Sequence, residues 1–291
     1  MVYIIIPVHN RKQHTQACLQ SLCKQAYRNF KTIVVDDGST DGTSDMIRQE
    51  FPEVTILTGD GNLWWAESTN VGVRYAMQHS VEGEDNFVLT LNDDLVVKTD
   101  YIHTLLAAYD ECKPCIVGSA CVDIKNPNRL EYAGSKINLL WSGETHLANL
   151  FARDYQRIVS QKKIVDSDTL TGRGVLIPFE VFLKIGFYDA VRFKQYMADI
   201  EFSVRARKAG YKLVVSIPSV VYSHVDATGL QIKPDMSFGK FWRGLSSIKS
   251  PINLSARYYF AMRHAPTKWL YFLLDVGRIF TGYFIRRFQL K

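Results

Sequence analysis

The chain has 291 residues, of which 47% are hydrophobic, so it can bury the core of one large domain or of a domain with an appendage. This composition excludes a disordered or fibrous chain. The net charge of +6 is unevenly spread, because residues 233–291 carry eleven Lys or Arg against two Asp. That local balance of +9 leaves −3 for the first 232 residues, so the basic character belongs to the C-terminal region.

Short apolar runs alternate with stretches of helical spacing in the first half of the sequence. The strand candidates are Tyr3–Val8, Lys31–Asp36, Val54–Leu57, Phe87–Leu91 and Ile116–Val122, and the helical stretches are 14–25, 43–50, 66–79 and 100–111. This βαβ series predicts an α/β fold with a mainly parallel, Rossmann-like sheet flanked by helices. In such a sheet, ligands bind beyond the carboxyl ends of the strands.

The second half is less regular. A Gly-rich segment, TLTGRGVLIP (169–178), precedes a helix-like stretch, and ADIEFSVRARKAG (198–210) leads into the strand candidate YKLVVSI (211–217). At the N-terminus, Arg11 and Lys12 follow the first apolar run rather than precede it, which is the reverse of a signal peptide.

The five cysteines have no even, closely spaced framework, which indicates a reducing compartment. Cys112 and Cys115 have the spacing of half a zinc site, but no second Cys or His pair follows at ligand spacing. Buried free thiols are therefore the favoured interpretation.

The second strand candidate ends in VVDDGSTDGT (34–43). Gly38 permits a tight turn, and Ser39 or Asp41 can cap the following helix, so turn chemistry explains most of this stretch. Turn chemistry does not explain why residue 37 is an acid, Asp37. A carboxylate there can accept a hydrogen bond from the imide N–H of uracil or thymine.

Trp64 and Trp65 stand together in the polar loop GDGNLWWAESTNVG (59–72). Paired tryptophans in a polar loop are unusual. Core packing is one interpretation, and a platform for a sugar or an acceptor is the other.

Asn92, Asp93 and Asp94 follow the fourth strand candidate. Two adjacent carboxylates at a strand end repel each other unless a positive charge lies beside them. Oxygen ligands suit Mg²⁺ or Mn²⁺, which typically bridge to substrate phosphates. A helix cap is the alternative role for such acids.

Taken in order, these segments resemble the family-2 glycosyltransferases of GT-A fold. The matching pieces lie within residues 3–230 and are IPVHNR, VVDDGSTDGT, GNLWWAESTNVG, LNDDL, TGRGVLIP followed by IGFYD, and ADIEFSVRARKAG. The resemblance implies a UDP-, dTDP- or GDP-sugar donor, Mn²⁺ or Mg²⁺ as cofactor, and a transfer that inverts the anomeric carbon. Asn92 departs from the more acidic form of the family's metal motif, so fewer carboxylates would hold the metal.

The resemblance also implies roles for individual residues. Asp37 would bind the nucleotide base, Asp94 would be the direct metal ligand, and His224 would be a second ligand, with a structural histidine as the alternative. The other implied donor contacts are Pro7, Val8, Asn10, Asn62, Asn70, Asn92, Asp93 and Arg173. The implied acceptor contacts are Trp64, Trp65, Gly172, Gly174 and Glu201.

In this family the general base is an acid at the start of the segment that here contains Asp199 and Glu201. On a helix these two side chains point about 200° apart, so they cannot both face one site. Glu201 has Arg205 one turn later as a surface ion-pair partner, whereas Asp199 has Ser203 there. We therefore predict that Asp199 is the base, with a helix N-cap as the alternative role.

The C-terminal stretch 266–291 is apolar and aromatic, but Asp275 and Arg278 interrupt it, which argues against a spanning helix. On a helical wheel Lys268, Asp275, Arg278 and Arg286 share a wedge of about 80°. Trp269, Leu273, Val276, Phe280 and Phe284 face the other way. This pattern predicts a helix lying on an anionic membrane surface, with a homodimer interface or intramolecular packing as the alternatives.

The sequence is thus interpreted as a metal-dependent inverting glycosyltransferase that acts on a glycan or lipid-linked acceptor in surface polysaccharide synthesis. Its expected place is the cytoplasm, peripheral to the inner face of the cell membrane. The predicted domains are a catalytic domain, 1–232, and a helical extension, 233–291. The nucleotide-binding half would span about 1–122 and the acceptor half about 123–232.

Two other functions fit the sequence less well. A sugar-nucleotide pyrophosphorylase should have a Gly-rich loop directly after its first strand, and PVHNRK lacks those glycines. A non-catalytic sugar-nucleotide-binding module is disfavoured by the joint presence of Asp37, Asp94 and Asp199. Nucleic acid is not an expected partner, because only the basic balance favours it and no binding module is recognised.

Overall fold

The structure, a computed structural model, describes residues 1–81, 85–225 and 236–288. The predicted domain boundary at 232–233 lies outside the described residues. The strands are β1 (Val2–Val8), β2 (Phe30–Asp36), β3 (Thr55–Thr58), β4 (Phe87–Thr90), β5 (Leu95–Val97), β6 (Cys115–Asp123), β7 (Asn126–Tyr132), β8 (Ser135–Asn138), β9 (Gly143–His146), β10 (Ile164–Asp166), β11 (Val175–Pro178) and β12 (Lys212–Ser223).

The helices flank the sheet or follow it. They are α1 (Lys12–Cys23), α2 (Thr43–Glu50), α3 (Trp64–Gln78), α4 (Tyr101–Cys112), α5 (Leu147–Leu150), α6 (Tyr155–Val159), α7 (Phe179–Ile185), α8 (Ala198–Lys208), α9 (Phe238–Gly244), α10 (Leu254–His264) and α11 (Trp269–Phe288). The five predicted strands of the first half are confirmed as β1, β2, β3, β4 and β6.

Within the described residues, one sheet has the strand order β10-β12-β6-β11-β4-β1-β2-β3, with β5 beside β12 and β7 beside β6. The pairs formed by β4, β1, β2 and β3 are parallel, as predicted. Strand β12 also pairs in parallel with β6, whereas β11 runs antiparallel to both β4 and β6, so the mainly parallel sheet includes antiparallel strands. Antiparallel neighbours need no crossover helix, which is why the second half lacks the βα alternation of the first.

Buried apolar strands form the core. Every residue from Val2 to Ile6 is at most 1% exposed, which is expected of a central parallel strand covered on both faces. A smaller cluster holds the extension together and consists of Met236, Phe241, Leu245, Ile252, Ile279 and Tyr283. The rings of Phe241 and Tyr283 stack with their centroids 4.2 Å apart. Phe260 of α10 joins the main core, so the extension packs on the part of the protein that contains the sheet.

Helix α11 turns its one acidic residue inward. Asp275 is 2% exposed, whereas Trp269, Leu273 and Phe284 on the apolar side are exposed. The predicted polar wedge is therefore split, because Asp275 packs against the protein and Arg286 is exposed. Among the described residues, no helix combines the length and the apolar content needed to cross a bilayer.

Candidate active site

A cleft of about 1070 Å³ opens at the carboxyl ends of the parallel strands. Pro7 and Val8 at the end of β1 line it, as do Asp37 after β2 and the run Asn92–Asp94 after β4. This volume slightly exceeds the usual range for one small ligand, about 300–1,000 Å³. The cleft is therefore large enough for more than one small ligand.

Asp37 holds the loop that carries the paired tryptophans. Its Oδ1 accepts a hydrogen bond from the backbone N–H of Gly61 at 2.8 Å, and its Oδ2 accepts one from Trp64 at 3.0 Å. A side chain at Gly59 would place a Cβ 2.6 Å from Oδ1, so glycine permits this close approach. Each carboxylate oxygen has two lone pairs, so Asp37 can still accept a bond from a ligand in the cleft.

The positive group beside the acidic pair is Arg11. Its Nη1 lies 3.4 Å from Oδ1 of Asp93 and 3.3 Å from Oδ2 of Asp94. Burial raises the pKa of Asp93 to about 7; Arg11 opposes this rise and the neighbouring Asp94 carboxylate adds to it. A single guanidinium thus only partly compensates two buried carboxylates.

The acidic pair also fits a divalent cation. Oδ1 of Asp94 is buried and has no hydrogen-bond partner among the described residues, which leaves a carboxylate oxygen available to a cation. Within the same residues no group of three or more His, Cys, Asp or Glu forms a metal cluster. Asp93 and Asp94 would therefore supply the protein ligands, and the other positions would fall to water and donor phosphates.

Asp199 is the second residue of α8 and reaches the same cleft. Its Oδ2 accepts a hydrogen bond from the backbone N–H of Gly172 at 3.0 Å, and its Oδ1 accepts one from Ile200 at 2.9 Å. Burial raises the pKa of Asp199 above its ordinary value, although these hydrogen bonds and the charge of Arg173 oppose the rise. A carboxylate with a raised pKa and a fixed orientation is suited to general-base work.

Arg173 links the two acidic parts of the cleft. The charges of both Asp94 and Asp199 act on its guanidinium, and all three side chains line the cleft. The predicted base and the predicted metal ligand therefore share one site, with a cation close to both.

Trp65 and Gly172 form part of the cleft wall. The indole Nε1 of Trp65 donates to Oδ1 of Asn92 at 3.0 Å. A Cβ on Gly172 would lie only 2.2 Å from Cζ2 of Trp65, so the ring packs directly on the glycine. Trp64 also lines the cleft and has Lys249 Nζ 5.7 Å from its ring centroid. Both tryptophans are half-buried and bound the cleft, rather than filling the core.

Glu201 was wrongly predicted to contact the acceptor. It is fully buried, and Arg205 binds it at 2.9 Å while Nε2 of His264 lies 3.1 Å from it. Although burial opposes the change, His264 and Arg205 hold the pKa of Glu201 below its usual range. The predicted surface ion pair is therefore a buried one that joins α8 to α10.

Five other predicted residues do not line the cleft. Gly174 has φ +81° and packs against Tyr101 beneath the site. Asn70 binds both backbone groups of Tyr188, at 2.9 and 3.0 Å. These residues shape the site from behind and do not contact a ligand in the cleft.

Asn10 accepts a hydrogen bond from the backbone N–H of Thr40 at 2.7 Å and so joins two loops, and Asn62 is exposed. The ring of His224 packs on that of His14, with centroids 4.8 Å apart. Its backbone N–H donates to the carbonyl of Asp94 at 3.1 Å. The structure therefore gives His224 a packing role and does not bring its ring into the cleft lining.

Two further segments line the cleft, and the sequence did not predict that either would do so. The β8–β9 hairpin contributes Ser142, Gly143, Glu144 and His146, and the extension contributes Lys249, Pro251, Arg257, Phe260, Tyr271 and Arg278. The sequence predicted a membrane-surface helix in the extension, with a homodimer interface or intramolecular packing as the alternatives, but no part in the cleft. None of the motifs from which the site was predicted lies in either segment.

Comparison with known proteins agrees with this geometry. The sequence profile of glycosyl transferase family 2 matches residues 3–183, which is more than half of the chain. Rhamnosyltransferase WbbL from Escherichia coli is 25% identical over 233 residues, with 78% of this chain and 85% of that protein covered. N-acetylglucosaminyl-diphospho-decaprenol L-rhamnosyltransferase from Mycobacterium tuberculosis is also 25% identical, with 76% and 75% covered.

Other similarities are more partial. Glycosyltransferase GlyA from Streptococcus pneumoniae is 30% identical over 105 residues, and the match spans only 14% of that protein. Among solved structures, GalNAc-T7 with UDP, GalNAc and Mn²⁺ superposes with a TM-score of 0.61 at 15% identity. That match covers 97% of this chain and 57% of the other, and it supports a shared GT-A fold.

Proposed function

The chain belongs to glycosyl transferase family 2, and from this membership we propose a metal-dependent, inverting transfer of a sugar from a nucleoside-diphosphate donor to an acceptor hydroxyl. The observation that carries the proposal is the meeting of Asp94, Arg173 and Asp199 in one cleft at the ends of the parallel strands. A single displacement at an anomeric carbon requires two things of the protein. One is a set of groups that stabilises the charge of the leaving diphosphate, and the other is a base for the acceptor hydroxyl.

The donor would lie across the strand ends. Asp37 faces the cleft where its free lone pairs can accept the imide N–H of a pyrimidine base. Asp93 and Asp94 would hold Mn²⁺ or Mg²⁺, which when bound offsets the charge that develops on the leaving diphosphate. Arg11, already within 3.4 Å of both acids, is positioned to contact the same phosphates.

Asp199 would accept the proton of the acceptor hydroxyl. As that oxygen forms a bond to the anomeric carbon, the bond from this carbon to the diphosphate oxygen breaks on the opposite face. The nucleoside diphosphate leaves with the electron pair of that bond, and the anomeric configuration inverts. The hydrogen bonds from Gly172 and Ile200 fix the carboxylate during this step, because they leave it one orientation.

The two relatives matched over most of their length support a narrower choice of substrates. One is named a rhamnosyltransferase, and the other transfers L-rhamnose to a sugar linked through diphosphate to decaprenol. We infer for this chain a deoxyhexose donor such as dTDP-L-rhamnose and a lipid-linked acceptor in surface polysaccharide synthesis.

A membrane-facing surface fits such an acceptor. The exposed side of α11 carries Leu270, Leu273, Leu274, Phe284, Ile285 and Phe288. Between residues 236 and 288 the sequence has nine Lys or Arg and a single acid, Asp275, which is buried. An exposed apolar stripe with basic neighbours and no exposed carboxylate suits an anionic bilayer surface. From this surface we propose a peripheral position at the inner face of the membrane.

A panel of nucleotide sugars tests the donor. Thermal unfolding is measured with dTDP-L-rhamnose, UDP-GlcNAc and GDP-mannose, each with and without Mn²⁺, and turnover is followed with a lipid-diphosphate-linked N-acetylglucosamine. We expect one donor to stabilise the protein, more strongly with Mn²⁺, and to be consumed by the wild type. Asp199→Asn should bind that donor but not transfer, whereas the exposed control Asp45→Asn should transfer normally.

Three outcomes would contradict the proposal. Donor binding without transfer by the wild type would indicate a non-catalytic module. Release of a sugar phosphate from the donor by added pyrophosphate would indicate a pyrophosphorylase. Turnover that is equal with and without a metal chelator would show that the reaction requires no divalent cation.

A further inference from the structure

The extension contributes a second cationic centre to the cleft. Asp275 of α11 accepts hydrogen bonds from Nη1 of Arg257 at 2.6 Å, from Nη2 of Arg278 at 2.8 Å and from Oγ of Ser142 at 2.9 Å. Two guanidinium groups therefore meet one carboxylate, and the cluster keeps a net positive charge. Arg257 and Arg278 both line the cleft, whereas the buried Asp275 does not.

Hydrogen-bond donors remain after Asp275 has been satisfied. Nε of Arg257 is buried and has no partner among the described residues. The side chain of Arg278 is 47% exposed and uses one nitrogen on Asp275. An arginine has five N–H donors in a planar fork that matches phosphate oxygens. Nη1 and Nη2 of Arg257 bind Asp275 and the carbonyl of Pro251, so it is the half-exposed Arg278 that presents unused donors to the cleft. Together the two arginines add an uncompensated charge, a combination that favours a phosphate group.

This centre lies beside an exposed apolar surface. The turn of the β8–β9 hairpin exposes Leu140 and Trp141, and Oγ1 of Thr267 ties it to the start of α11 by donating to the carbonyl of Leu140 at 3.0 Å. Leu274 is exposed one turn before Arg278 on the same helix. A phosphate bound by the arginines would therefore have an apolar surface close by.

We propose that Arg257 and Arg278 form the subsite for the diphosphate of the acceptor, with the adjoining lipid chain lying along the exposed apolar surface of α11 and the hairpin turn. This inference rests on the proposed function, because it deepens the choice of acceptor. The donor diphosphate has its own cations, Arg11 and Arg173, at the strand ends. The acceptor would accordingly be recognised by the phosphates next to its sugar as well as by the sugar itself.

A binding experiment tests the subsite without requiring the acceptor sugar to be known. Calorimetry compares farnesyl diphosphate, farnesol and inorganic pyrophosphate as ligands for the wild type and for Arg278→Gln. The matched control is Arg192→Gln. Arg192 is also 47% exposed, also pairs with an aspartate three residues earlier, at 2.9 Å, and lies outside the cleft lining. Arg278→Lys serves as a second variant that keeps the charge but loses the fork.

We expect the wild type to bind farnesyl diphosphate at least about tenfold more tightly than either farnesol or pyrophosphate. Arg278→Gln should weaken that binding about tenfold, because a hydrogen bond to a charged group is lost. The affinity of Arg278→Lys for farnesyl diphosphate should lie between those of the wild type and Arg278→Gln, and that of Arg192→Gln should match the wild type. With the full enzyme, Arg278→Gln should raise the KM of a lipid-diphosphate acceptor about tenfold but not the KM of an octyl glycoside of the same sugar.

Several results would overturn the subsite. Equal binding of farnesyl diphosphate by Arg278→Gln and the wild type would do so, as would binding of pyrophosphate as tight as that of farnesyl diphosphate. An equal rise in KM for both acceptors would assign Arg278 a purely structural role. The wild type could also transfer to the octyl glycoside with a lower KM than to the lipid-diphosphate acceptor. That result would support the proposed glycosyl transfer and contradict only the phosphate subsite.

Discussion

Replacing Gly172 by alanine should disturb the cleft at the point where its wall is packed most tightly. The added Cβ would lie 2.2 Å from Cζ2 and 2.7 Å from Cη2 of Trp65. Carbon atoms in contact prefer about 3.5–4.0 Å, so the indole must move by more than about 1 Å. That movement lengthens the 3.0 Å hydrogen bond from Trp65 to Asn92. It also strains the backbone N–H of residue 172 that holds Asp199 at 3.0 Å.

The free energy of unfolding should fall by about 1–3 kcal/mol for the added volume and by about 1 kcal/mol for the weakened hydrogen bond. Urea unfolding should show this loss, and kcat for transfer should fall at least about tenfold because Asp199 loses its fixed orientation. Gly239→Ala is the control, since nothing lies within 4 Å of its added Cβ, and it should leave stability within about 1 kcal/mol of the wild type. Unchanged unfolding and unchanged kcat in Gly172→Ala would refute the reasoning.

Three further predictions concern the base, the buried ion pair and the membrane face. Because Asp199 must be deprotonated and its pKa is raised, kcat/KM should be lost as pH falls through a value above the ordinary 3.8, and a limb at or below pH 4 would contradict this. Arg205→Ala should destabilise the protein by about 3 kcal/mol in urea unfolding, since it removes the guanidinium partner of buried Glu201, whereas the exposed Arg207→Ala should cost less than about 1 kcal/mol. Leu273→Glu should weaken binding to anionic liposomes in a flotation assay about tenfold, and Leu183→Glu, also exposed but on α7, should not; equal binding by all three proteins would remove α11 from the membrane contact.

The strand ends could be predicted because their signals are local. An apolar run followed by Asp37, or by Asp93 and Asp94, indicates a buried strand that ends at a ligand-binding edge, and the structure places all three acids in one cleft. It could also be predicted that Asp199 and Glu201 face different surroundings, because helical geometry alone forbids both from facing the same site.

Other parts of the site depend on contacts far apart in sequence. Nothing near Glu201 indicates that His264, 63 residues later, packs against it. Asn70 looked like a ligand contact in a polar segment, but it is used to bind the backbone of Tyr188, 118 residues away. Whether such a polar side chain faces a ligand or another part of the chain is decided by tertiary packing, which the residue type does not encode.

Residues far apart in the sequence meet at the cleft, since Pro7 and Arg278 both line it. During synthesis, the parallel strands and all the acids of the donor end leave the ribosome well before α11 does. The nascent chain would therefore hold the strand-end part of the cleft while one wall is still missing. The wall that carries Arg278 is added only after α11 has left the ribosome, so the cleft is enclosed well after its strand-end acids have been made.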